Sequence, residues 1–273
     1  MGIKERRTKI LLSLLLMSDI TLDYVTFNNS LQTVFDLSFN QKTRGTISGM
    51  LKEELIEKFQ ATDPNDQTLN NKYHLTEKGF KALCLKFPFF RFLRESWDLT
   101  WRILSYEIPE KKRELRDRLR REVSGWGLGP WHRSFWLTPH PIIENLRELI
   151  YQKEEERYLQ AFESKHIIGD QKILIEKVWQ ISTLEKKYRD LFKVWHDILS
   201  KPGQTSSKTG EKLSKFREVV NRYVEVLKSD PGLPTEVIGK NWIGFEAFNI
   251  FKEIRSILLS EIPITKSQDP NKS

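Results

Sequence analysis

The stretch that decides the fold is Trp97–Pro141, WDLTWRILSYEIPEKKRELRDRLRREVSGWGLGPWHRSFWLTPHP. Apolar and polar residues alternate from Trp101 to Ile108, and this period of two predicts a strand. From Glu110 to Ser124 the apolar residues recur every four positions, as they do along one face of a helix. Three glycines then break the chain, and Arg133–Thr138 is predicted as a second strand. The order strand, helix, strand indicates the first half of a ferredoxin-like α/β module.

Length and composition indicate more than one packed core. The chain has 273 residues, which is longer than a typical domain with a single core, and 38% of them are hydrophobic. The single cysteine, Cys84, argues against a disulfide scaffold and a thiolate zinc site, and it is predicted to be buried in a packing role. The apolar run Ile10–Met17 is too short to span a membrane and lacks a signal-peptide cleavage pattern. We therefore expect a cytoplasmic protein, not bound to membrane, whose first helix is buried.

The excess positive charge lies in the middle of the sequence rather than at its start. The formal net charge is +8, but residues 1–80 contain ten basic and ten acidic residues. Residues 81–150 contain fourteen basic and nine acidic residues, with most of the excess in the helix predicted at Glu110–Ser124. Attraction to phosphate follows local rather than total charge, so this distribution bears on any nucleic-acid hypothesis.

Residues 1–92 have the pattern of a winged helix–turn–helix. Three helices are predicted, at about Lys4 to Met17, Asn29 to Phe39 and Thr43 to Phe59. A turn at Asp63–Asp66 and a short strand from Tyr73 then form the wing, and Thr76 caps the next helix. In folds of this kind the helix before the wing enters the major groove of DNA.

The third predicted helix supplies the candidate DNA-contacting residues. They are polar and basic positions expected to be exposed: Lys42, Thr43, Arg44, Thr46, Ser48 and Lys52. The alternative is a small helical domain that mediates protein contacts. That alternative is favoured by the segment 61–71, which contains two aspartates and no basic residue and should therefore repel phosphate.

Two interpretations are open for the basic helix at Glu110–Ser124. Three residues on one face are candidates for contacts with phosphates of DNA, RNA or coenzyme A: Arg113, Arg116 and Arg120. Acidic residues three or four positions from basic partners favour a solvated face of ion pairs instead. His132 and His140 have no cysteine or third histidine beside them, so helix capping or packing is expected of both rather than zinc binding.

The carboxy-terminal part is predicted to be helical. Apolar residues follow helical spacing from Leu174 to Leu199, and further helices are predicted at Lys212–Leu227 and Trp242–Leu259. Composition predicts a flexible loop at 202–210 and a disordered tail after Pro263. The candidates for the wall of a small-molecule pocket are aromatic: Trp179, Tyr188 and Trp242.

Three motifs resemble one known family. The first comprises WRI at Trp101–Ile103, YEIP at Tyr106–Pro109, GWG at Gly125–Gly127 and WLTP at Trp136–Pro139. The second is KVWQISTLEKKY at Lys177–Tyr188, and the third joins SDPGLP at Ser229–Pro234 to NWIG at Asn241–Gly244. In this order, and with YHLTEKG at Tyr73–Gly79, they resemble the PaaX-type repressors of phenylacetate catabolism.

The resemblance implies an α+β transcription regulator in three parts. These are a winged helix–turn–helix at 1–92, a ferredoxin-like dimerisation domain at 93–165 and a helical domain at 166–263 that helps form an effector pocket. The predicted disordered tail follows at 264–273. Such a protein binds double-stranded DNA as a homodimer, has no cofactor or enzymatic activity, and is released from DNA by an aryl-acyl-coenzyme A thioester. By position, Arg44 matches the arginine near the start of the family's recognition helix.

A second resemblance gives the main alternative, a metal-dependent nuclease. The central domain is also similar to the small nuclease-like subunit of CRISPR adaptation complexes, which carries an aspartate at the end of its first strand. Glu107 occupies that position here, and a carboxylate from each of two subunits would suit a hard metal ion. With no second acid nearby, Glu107 is instead expected to be a surface residue paired with an arginine. A non-enzymatic adaptor that binds RNA or protein is the third possibility.

Overall fold

The structure is a computed structural model that describes residues 3–38, 40–63, 66–200 and 208–260. For residues 3, 29, 60–63 and 66–70 it describes the backbone alone. The predicted tail at 264–273 and most of the predicted loop at 202–210 lie outside the described residues, as do the central residues of the predicted turn, Pro64 and Asn65.

Within the described ranges the chain forms eleven α-helices and seven β-strands. The helices are α1 Ile3–Ser18, α2 Asn29–Val34, α3 Gln41–Lys52, α4 Glu77–Cys84, α5 Arg113–Ser124, α6 Ile143–Ile150, α7 Gln171–Trp179, α8 Ile181–Ser200, α9 Lys208–Leu227, α10 Thr235–Ile238 and α11 Ile243–Leu259. The strands are β1 Val25–Thr26, β2 Ile56–Asp63, β3 Asp66–Leu75, β4 Trp101–Tyr106, β5 Gly129–His132, β6 Phe135–Thr138 and β7 Leu159–Ser164. Short 3₁₀ segments lie at Asp19–Thr21, Pro88–Leu93, Glu110–Lys112 and Glu154–Tyr158. Helices and strands are therefore mixed up to Ser164, and in the described remainder helices follow.

Contacts within the chain define two compact units, each built from separated segments. The first comprises Met1–Leu83, Asp190–Glu225 and Gly244–Ser273. The second comprises Cys84–Arg189 and Val226–Ile243. Because these contacts group segments that are distant in the chain, the division into three successive domains stays a prediction.

The first unit contains a three-stranded antiparallel sheet in the order β1-β3-β2. Helix α1 contacts α3 and β3 and buries the run Ile10–Met17, as the sequence predicts. Near the end of α1, Arg255 of α11 donates to the main-chain oxygen of Leu16 over 2.6 Å and pairs with Asp19. The side chain of Arg255 thus satisfies a carbonyl of the last helical turn, which has no partner inside the helix.

Aromatic side chains from α8, α9 and α11 form another part of this core. Trp195 packs edge-on against Tyr223 with ring centroids 5.5 Å apart, and its indole donates to the main-chain oxygen of Val219 over 3.2 Å. Phe216 and Phe251 stack with centroids 5.8 Å apart. Because a buried indole needs a hydrogen-bond acceptor, the contact with Val219 fixes the orientation of the tryptophan.

The third helix is shorter than the sequence predicts. Helix α3 ends at Lys52, and Ile56 begins β2, which pairs antiparallel with β3. Glu54 has a φ of 58°, a left-handed conformation that stops a helix. The predicted helix to Phe59 is therefore wrong. The four-residue apolar spacing continues past Lys52, but hydrogen bonding to β3 makes Ile56–Phe59 part of a strand. The second predicted helix is also shorter, since α2 ends at Val34.

The second unit contains a four-stranded antiparallel sheet in the order β5-β6-β4-β7. With α5 between β4 and β5 and α6 between β6 and β7, the connections follow the β-α-β-β-α-β pattern. Leu104 of β4 lies opposite Trp136 of β6 and Ala161 of β7. Leu104 and Trp136 belong to one buried core with Leu119 and Val123 of α5, so helices cover one face of the sheet.

Three boundaries in this unit differ from the sequence predictions. The sequence does not predict β5, because the glycines before it resemble a helix stop, and the strand predicted from Arg133 starts at Phe135. The helical pattern from Leu174 is two helices, α7 and α8, separated by Gln180 with a φ of 51°.

Two smaller expectations concern Cys84 and the membrane. Cys84 is the last residue of α4 and is buried, which confirms its packing role. In the described ranges, no helix combines the length and the apolar character that a membrane crossing requires.

Candidate functional site

The exposed face of α3 is the first candidate surface. The side chain of Asn40 accepts a hydrogen bond from the main-chain nitrogen of Thr43 over 3.1 Å and so caps the start of the helix. Four of the six residues predicted to contact DNA are exposed on it: Lys42, Arg44, Ser48 and Lys52. No acidic residue occurs between Gln41 and Lys52, so this face is positively charged.

The two threonines of the predicted DNA-contacting set are buried. The hydroxyl of Thr43 donates to the main-chain oxygen of Ser38 over 2.6 Å, and that of Thr46 donates to the oxygen of Lys42 over 2.8 Å. The prediction that both are exposed is wrong, because these hydroxyls satisfy the backbone at the start of α3.

Two carboxylates follow α3 directly, and both have cationic partners. A guanidinium nitrogen of Arg7 donates to Glu53 over 3.0 Å, and the ammonium group of Lys78 lies 3.7 Å from a carboxylate oxygen of Glu54. The hydrogen bond from Arg7 lowers the pKa of Glu53 below its ordinary value. The two acids therefore do little to offset the positive charge of α3.

The YHLTEKG motif fastens α4 to the turn between α3 and β2. The hydroxyl of Thr76 donates to the main-chain oxygen of Glu54 over 2.6 Å and accepts from the nitrogen of Gly79 over 3.0 Å, which confirms its capping role. A Cβ at Gly79 would lie 1.9 Å from the main-chain oxygen of Leu55, so no larger residue fits there. Thr76 and Gly79 are therefore structural residues.

The predicted phosphate contacts on α5 divide into paired and unpaired groups. A guanidinium nitrogen of Arg113 lies 3.6 Å from Asp117, and one of Arg116 donates to Glu110 over 2.7 Å. The hydrogen bond from Arg116 lowers the pKa of Glu110. These pairs favour the ion-pair interpretation for Arg113 and Arg116. Within the described chain, no carboxylate lies at ion-pair distance from Arg120.

Arg120 belongs to a hydrogen-bond network at the end of β4. Its Nε donates to the hydroxyl of Tyr106 over 2.7 Å, and a terminal nitrogen donates to the main-chain oxygen of Arg133 over 2.7 Å. The Tyr106 hydroxyl also accepts from the indole of Trp136 over 3.1 Å and donates to the same Arg133 oxygen over 3.0 Å. This network fixes the guanidinium of Arg120 between β4, α5 and the turn after β5.

A polar pocket of about 400 Å³ opens beside this network, and we call it the arginine pocket. Its charged and hydroxyl-bearing lining includes Arg116, Arg120, Arg133, Glu107, Glu110 and Ser134. Because three guanidinium groups and two carboxylates face it, its chemistry favours an anion that also offers hydrogen-bond donors.

Glu107 follows β4 directly and lines the arginine pocket. It is exposed, and the ion pair expected with an arginine is not found among the described residues. In the described chain, no group of three or more His, Cys, Asp or Glu side chains is arranged to hold a metal ion. The three guanidinium groups in the same pocket would repel a divalent cation. The absence of enzymatic activity itself stays a prediction.

The aromatic residues of the first two motifs hold the second unit together. The indole of Trp179 donates to the main-chain oxygen of Gly127 over 3.2 Å, and its ring stacks on Trp101 with centroids 6.0 Å apart. A Cβ at Gly129 would lie 2.2 Å from a methyl carbon of Val178 and 2.6 Å from the indole nitrogen of Trp179. The close packing of α7 on β5 therefore requires glycine at position 129.

Tyr188 and Trp242 are packed against each other through the third motif. The Tyr188 hydroxyl donates to a carboxylate oxygen of Asp230 over 2.7 Å, and the two rings meet edge-on with centroids 5.9 Å apart. Asp230 also accepts from the main-chain nitrogen of Gly232 over 2.8 Å, and burial raises its pKa. Tyr188 is fully buried, and the role of Trp179, Tyr188 and Trp242 as pocket walls stays a prediction.

His140 is buried in a packing role, as predicted, whereas His132 is exposed on β5. The Nε2 of His140 donates to the main-chain oxygen of Pro231 over 2.6 Å, and the His140 ring stacks on Phe92 with centroids 4.9 Å apart. Burial lowers the pKa of His140 to about 3. The imidazole is therefore neutral at pH 7, which suits its hydrogen bond to a carbonyl.

An apolar cavity of about 240 Å³ lies on the other face of the four-stranded sheet. Alternation along β4 and β6 places its wall residues opposite the helix-covered core. The walls are formed mainly by Trp101, Ile103, Trp131, Phe135, Leu137 and Leu174. Lys165, His166, Ile167 and Ile168 complete it on the segment after β7. None of the three aromatic residues predicted as pocket walls lines this cavity.

Comparison with known families places the sequence. The "PaaX protein central Cas2-like domain" matches residues 94–174, and the "PaaX-like protein C-terminal domain" matches residues 179–261. The chain belongs to the PaaX-type family. No curated protein matches it. Among solved structures, an uncharacterized protein of Mycobacterium tuberculosis, Rv0674, is similar with a TM-score of 0.47 and 15% identity over 92% of this chain and 94% of that one. That likeness is too low to carry an argument.

The PaaX ranges contain the arginine pocket and the apolar cavity but not α3. Both pockets lie within the central-domain match at 94–174, and α3 precedes it. PaaX-family domains are consistent with a transcription regulator. Any role of α3 in contacting DNA therefore depends on the residues of α3 themselves.

Sequence reasoning found only part of the arginine pocket in the PaaX central domain. It selected Arg113, which lies outside the pocket, and missed Tyr106, Arg133 and Ser134. Arginines on one helix face are visible in the sequence, whereas Arg133 comes from the turn between β5 and β6 and meets Arg120 only after folding. The one available signal was the alternation along β4, which turns Tyr106 to the same side as Leu104.

Proposed function

We propose that this PaaX-type protein is a DNA-binding transcription regulator, acting as a repressor, whose DNA-contacting helix is α3. The observation that carries the proposal is the charge of the exposed face of α3. Lys42, Arg44 and Lys52 are exposed there, and the helix contains no acidic residue. The two acids that follow each have a cationic partner. A face of this kind attracts the phosphate backbone of DNA, and Ser48 adds a group able to hydrogen-bond to base edges.

The elements around α3 support a winged helix–turn–helix for this part of the chain. Helix α2 precedes α3 after a short connection, and the hairpin of β2 and β3 follows directly. In folds with this order the helix before the hairpin lies in the major groove. Segment 61–71 carries no basic residue, so we assign the phosphate contacts to α3 rather than to the hairpin.

The test is a titration of the protein's own promoter fragment at several salt concentrations, with Arg44→Gln and Lys52→Gln beside the parent. Each lost phosphate contact should reduce the slope of log affinity against log salt by about 0.9. Lys177→Gln removes one charge from an exposed position of α7 and is the matched control, which should bind like the parent. Unchanged slopes in both α3 variants would contradict the proposal.

The homodimer contact is assigned to β7 and the segment after it. Strand β7 is an edge of the sheet and is exposed from Gln160 to Ser164. Phe162, Ile167 and Ile168 are 53%, 85% and 90% exposed. An unpaired strand edge beside exposed apolar side chains favours pairing with a second copy, since two identical antiparallel edges complement each other across a two-fold axis.

The dimer is tested by light scattering of Ile168→Asp, which should shift the protein from dimer to monomer. Ile257→Asp is the control, because Ile257 is 69% exposed on α11 in the other unit. A dimer that persists in Ile168→Asp would place the contact elsewhere.

The acyl group of the effector is assigned to the apolar cavity rather than to Trp179, Tyr188 and Trp242. A cavity of about 150 Å³ holds a benzene ring, so the volume of about 240 Å³ accommodates an aryl or short acyl group. Lys165 at the cavity suits an anionic part of the ligand. An aryl-acyl-coenzyme A thioester should quench tryptophan fluorescence and release DNA from the parent. It should do neither in Ile103→Phe, which narrows the cavity, and equal responses in both proteins would exclude this site.

A further inference from the structure

Arg120 is held in one geometry by neutral partners. It donates to the Tyr106 hydroxyl and to the Arg133 main-chain oxygen, each over 2.7 Å, and its guanidinium carbon lies 5.9 Å from the centroid of the Tyr106 ring. Among the described residues, no carboxylate is close enough to pair with it. Because its partners are neutral, the positive charge of the guanidinium is not compensated, and its fixed position is preorganised for binding an anion.

Among the described residues, two other donor groups around the arginine pocket have no acceptor. Within the described chain, the guanidinium of Arg133 has neither a hydrogen bond nor an ion pair, and the residue is exposed. Arg116 donates twice to Glu110, over 2.7 and 3.4 Å, while its buried Nε has no acceptor. The hydroxyl of Ser134 lines the same pocket. Several donors facing one space match the acceptor oxygens of a phosphate group.

We propose that the arginine pocket binds the phosphate group of a small phosphorylated molecule, held by Arg120, Arg133 and Ser134. The site goes beyond the DNA-binding function proposed above and does not depend on it. Its volume of about 400 Å³ is in the range of small-molecule pockets.

The two carboxylates of the pocket favour a small molecule over a nucleic-acid backbone. Glu107 is exposed in the lining, and Glu110 is held as a carboxylate by Arg116. A continuous chain of phosphates would be repelled by both carboxylates. A molecule of nucleotide size brings its phosphate to the arginines and offers hydroxyl or amino donors to Glu107.

The test is calorimetric titration of the full chain with inorganic pyrophosphate and with ADP. Both should bind the parent, and Arg133→Gln should weaken the binding at least about tenfold, since it removes charge-assisted hydrogen bonds to the ligand. Arg133→Gln should leave folding intact, because in the described part of the chain the Arg133 side chain makes no hydrogen bond or ion pair. Arg113→Gln is the control: it also removes one positive charge, but from a position of α5 outside the pocket, and it should bind both probes like the parent.

Three outcomes would overturn the proposal. The first is that neither probe binds the parent. The second is an equal loss of binding in Arg113→Gln and Arg133→Gln, which would reveal general charge attraction. The third is that duplex DNA displaces ADP and its own binding depends equally on Arg133, which would assign the pocket to nucleic acid. Arg44→Gln should leave ADP binding unchanged, so failure of this proposal and failure of the DNA-binding proposal are separate results.

Discussion

At the residue scale, His140 shows how burial alone sets the charge of a side chain. It is enclosed between Phe92 and the main chain at Pro231, and its pKa falls to about 3 chiefly because burial disfavours the charged form. The charges of Arg91 and Arg102 lower it further. Since the pKa of the unfolded residue is about 6.5, the stabilisation is fully present above that pH and is lost as the pH falls towards 3.

This predicts that the protein loses stability through His140 as the pH falls from 7.5 to 5.5. Between pH 7.5 and 5.5 the His140 imidazole takes up a proton in the unfolded chain but stays neutral in the folded chain. The free energy of unfolding should therefore fall by about 1.4 kcal/mol. Urea unfolding at the two pH values measures this change. In His140→Gln the fall should be smaller by that amount, and an identical pH dependence in both proteins would rule the mechanism out.

Asp230, next to Pro231, titrates in the opposite sense. Burial raises its pKa above the ordinary value of 3.8, so the stabilisation it gives is present below that value and is lost as the pH rises through the raised pKa. Because Asp230 is the same in the parent and in His140→Gln, the difference between the two proteins isolates the histidine.

Single residues also show where prediction from sequence stops. The WRI motif draws attention to Arg102, but its side chain donates to Glu163 over 3.0 Å and to Asp98 over 2.9 Å. It therefore joins β4 to β7, and it is buried. Glu163 is 61 positions from Arg102, so local residue spacing cannot predict this contact. The same is true of the contact between Arg120 and Arg133.

At the scale of elements, α3 contains two glycines that its packing does not need. A Cβ at Gly45 or Gly49 would meet nothing within 4 Å, although glycine costs a helix about 0.5–1 kcal/mol relative to alanine. They are four positions apart and therefore share a face of the helix. If this face lies against DNA, the missing side chains let the helix approach closely.

The double substitution Gly45→Ala, Gly49→Ala is therefore predicted to stabilise the protein and to weaken DNA binding. Urea unfolding should show a gain of about 1–2 kcal/mol, and the promoter titration should show lower affinity. Gly79→Ala is the contrasting control, because its Cβ would collide with the main-chain oxygen of Leu55 and should destabilise the fold. A stabilised double variant with the affinity of the parent would mean that this face of α3 does not touch DNA.

Element boundaries were predictable where one local period dominates. Strand β4 and helix α5 follow from alternation and from four-residue spacing within Trp101–Ser124. The same four-residue spacing gives a wrong helix at Ile56–Phe59, because pairing with β3 decides that segment. Strand β5 has no alternation of its own, and pairing with β6 specifies it.

At the scale of the whole molecule, the first unit is assembled from three separated segments. It combines Met1–Leu83 with Asp190–Glu225 and Gly244–Ser273. Contacts such as Arg255 with Leu16 over 2.6 Å and Arg217 with Asp36 over 3.2 Å join the first segment to the later ones.

We therefore predict that a fragment of residues 1–92 does not fold by itself, although the sequence pattern ends a domain there. The fragment lacks α8, α9 and α11, which supply much of the core of this unit. Circular dichroism during thermal unfolding should show a weak, non-cooperative transition for the fragment and a cooperative one for the full chain. A cooperative transition in the fragment would show that the amino-terminal segment is an autonomous domain.

The position of Arg255 has a consequence for how the protein is made. A ribosome releases α1 early, but the guanidinium that closes the end of α1 is added 239 residues after Leu16. Until residues 190–225 and 244–259 are made, the apolar run Ile10–Met17 has no access to the later segments of its own unit. Until then the nascent chain exposes the part of this hydrophobic segment that α3 and β3 do not cover, which makes it a natural client for chaperones at the exit tunnel.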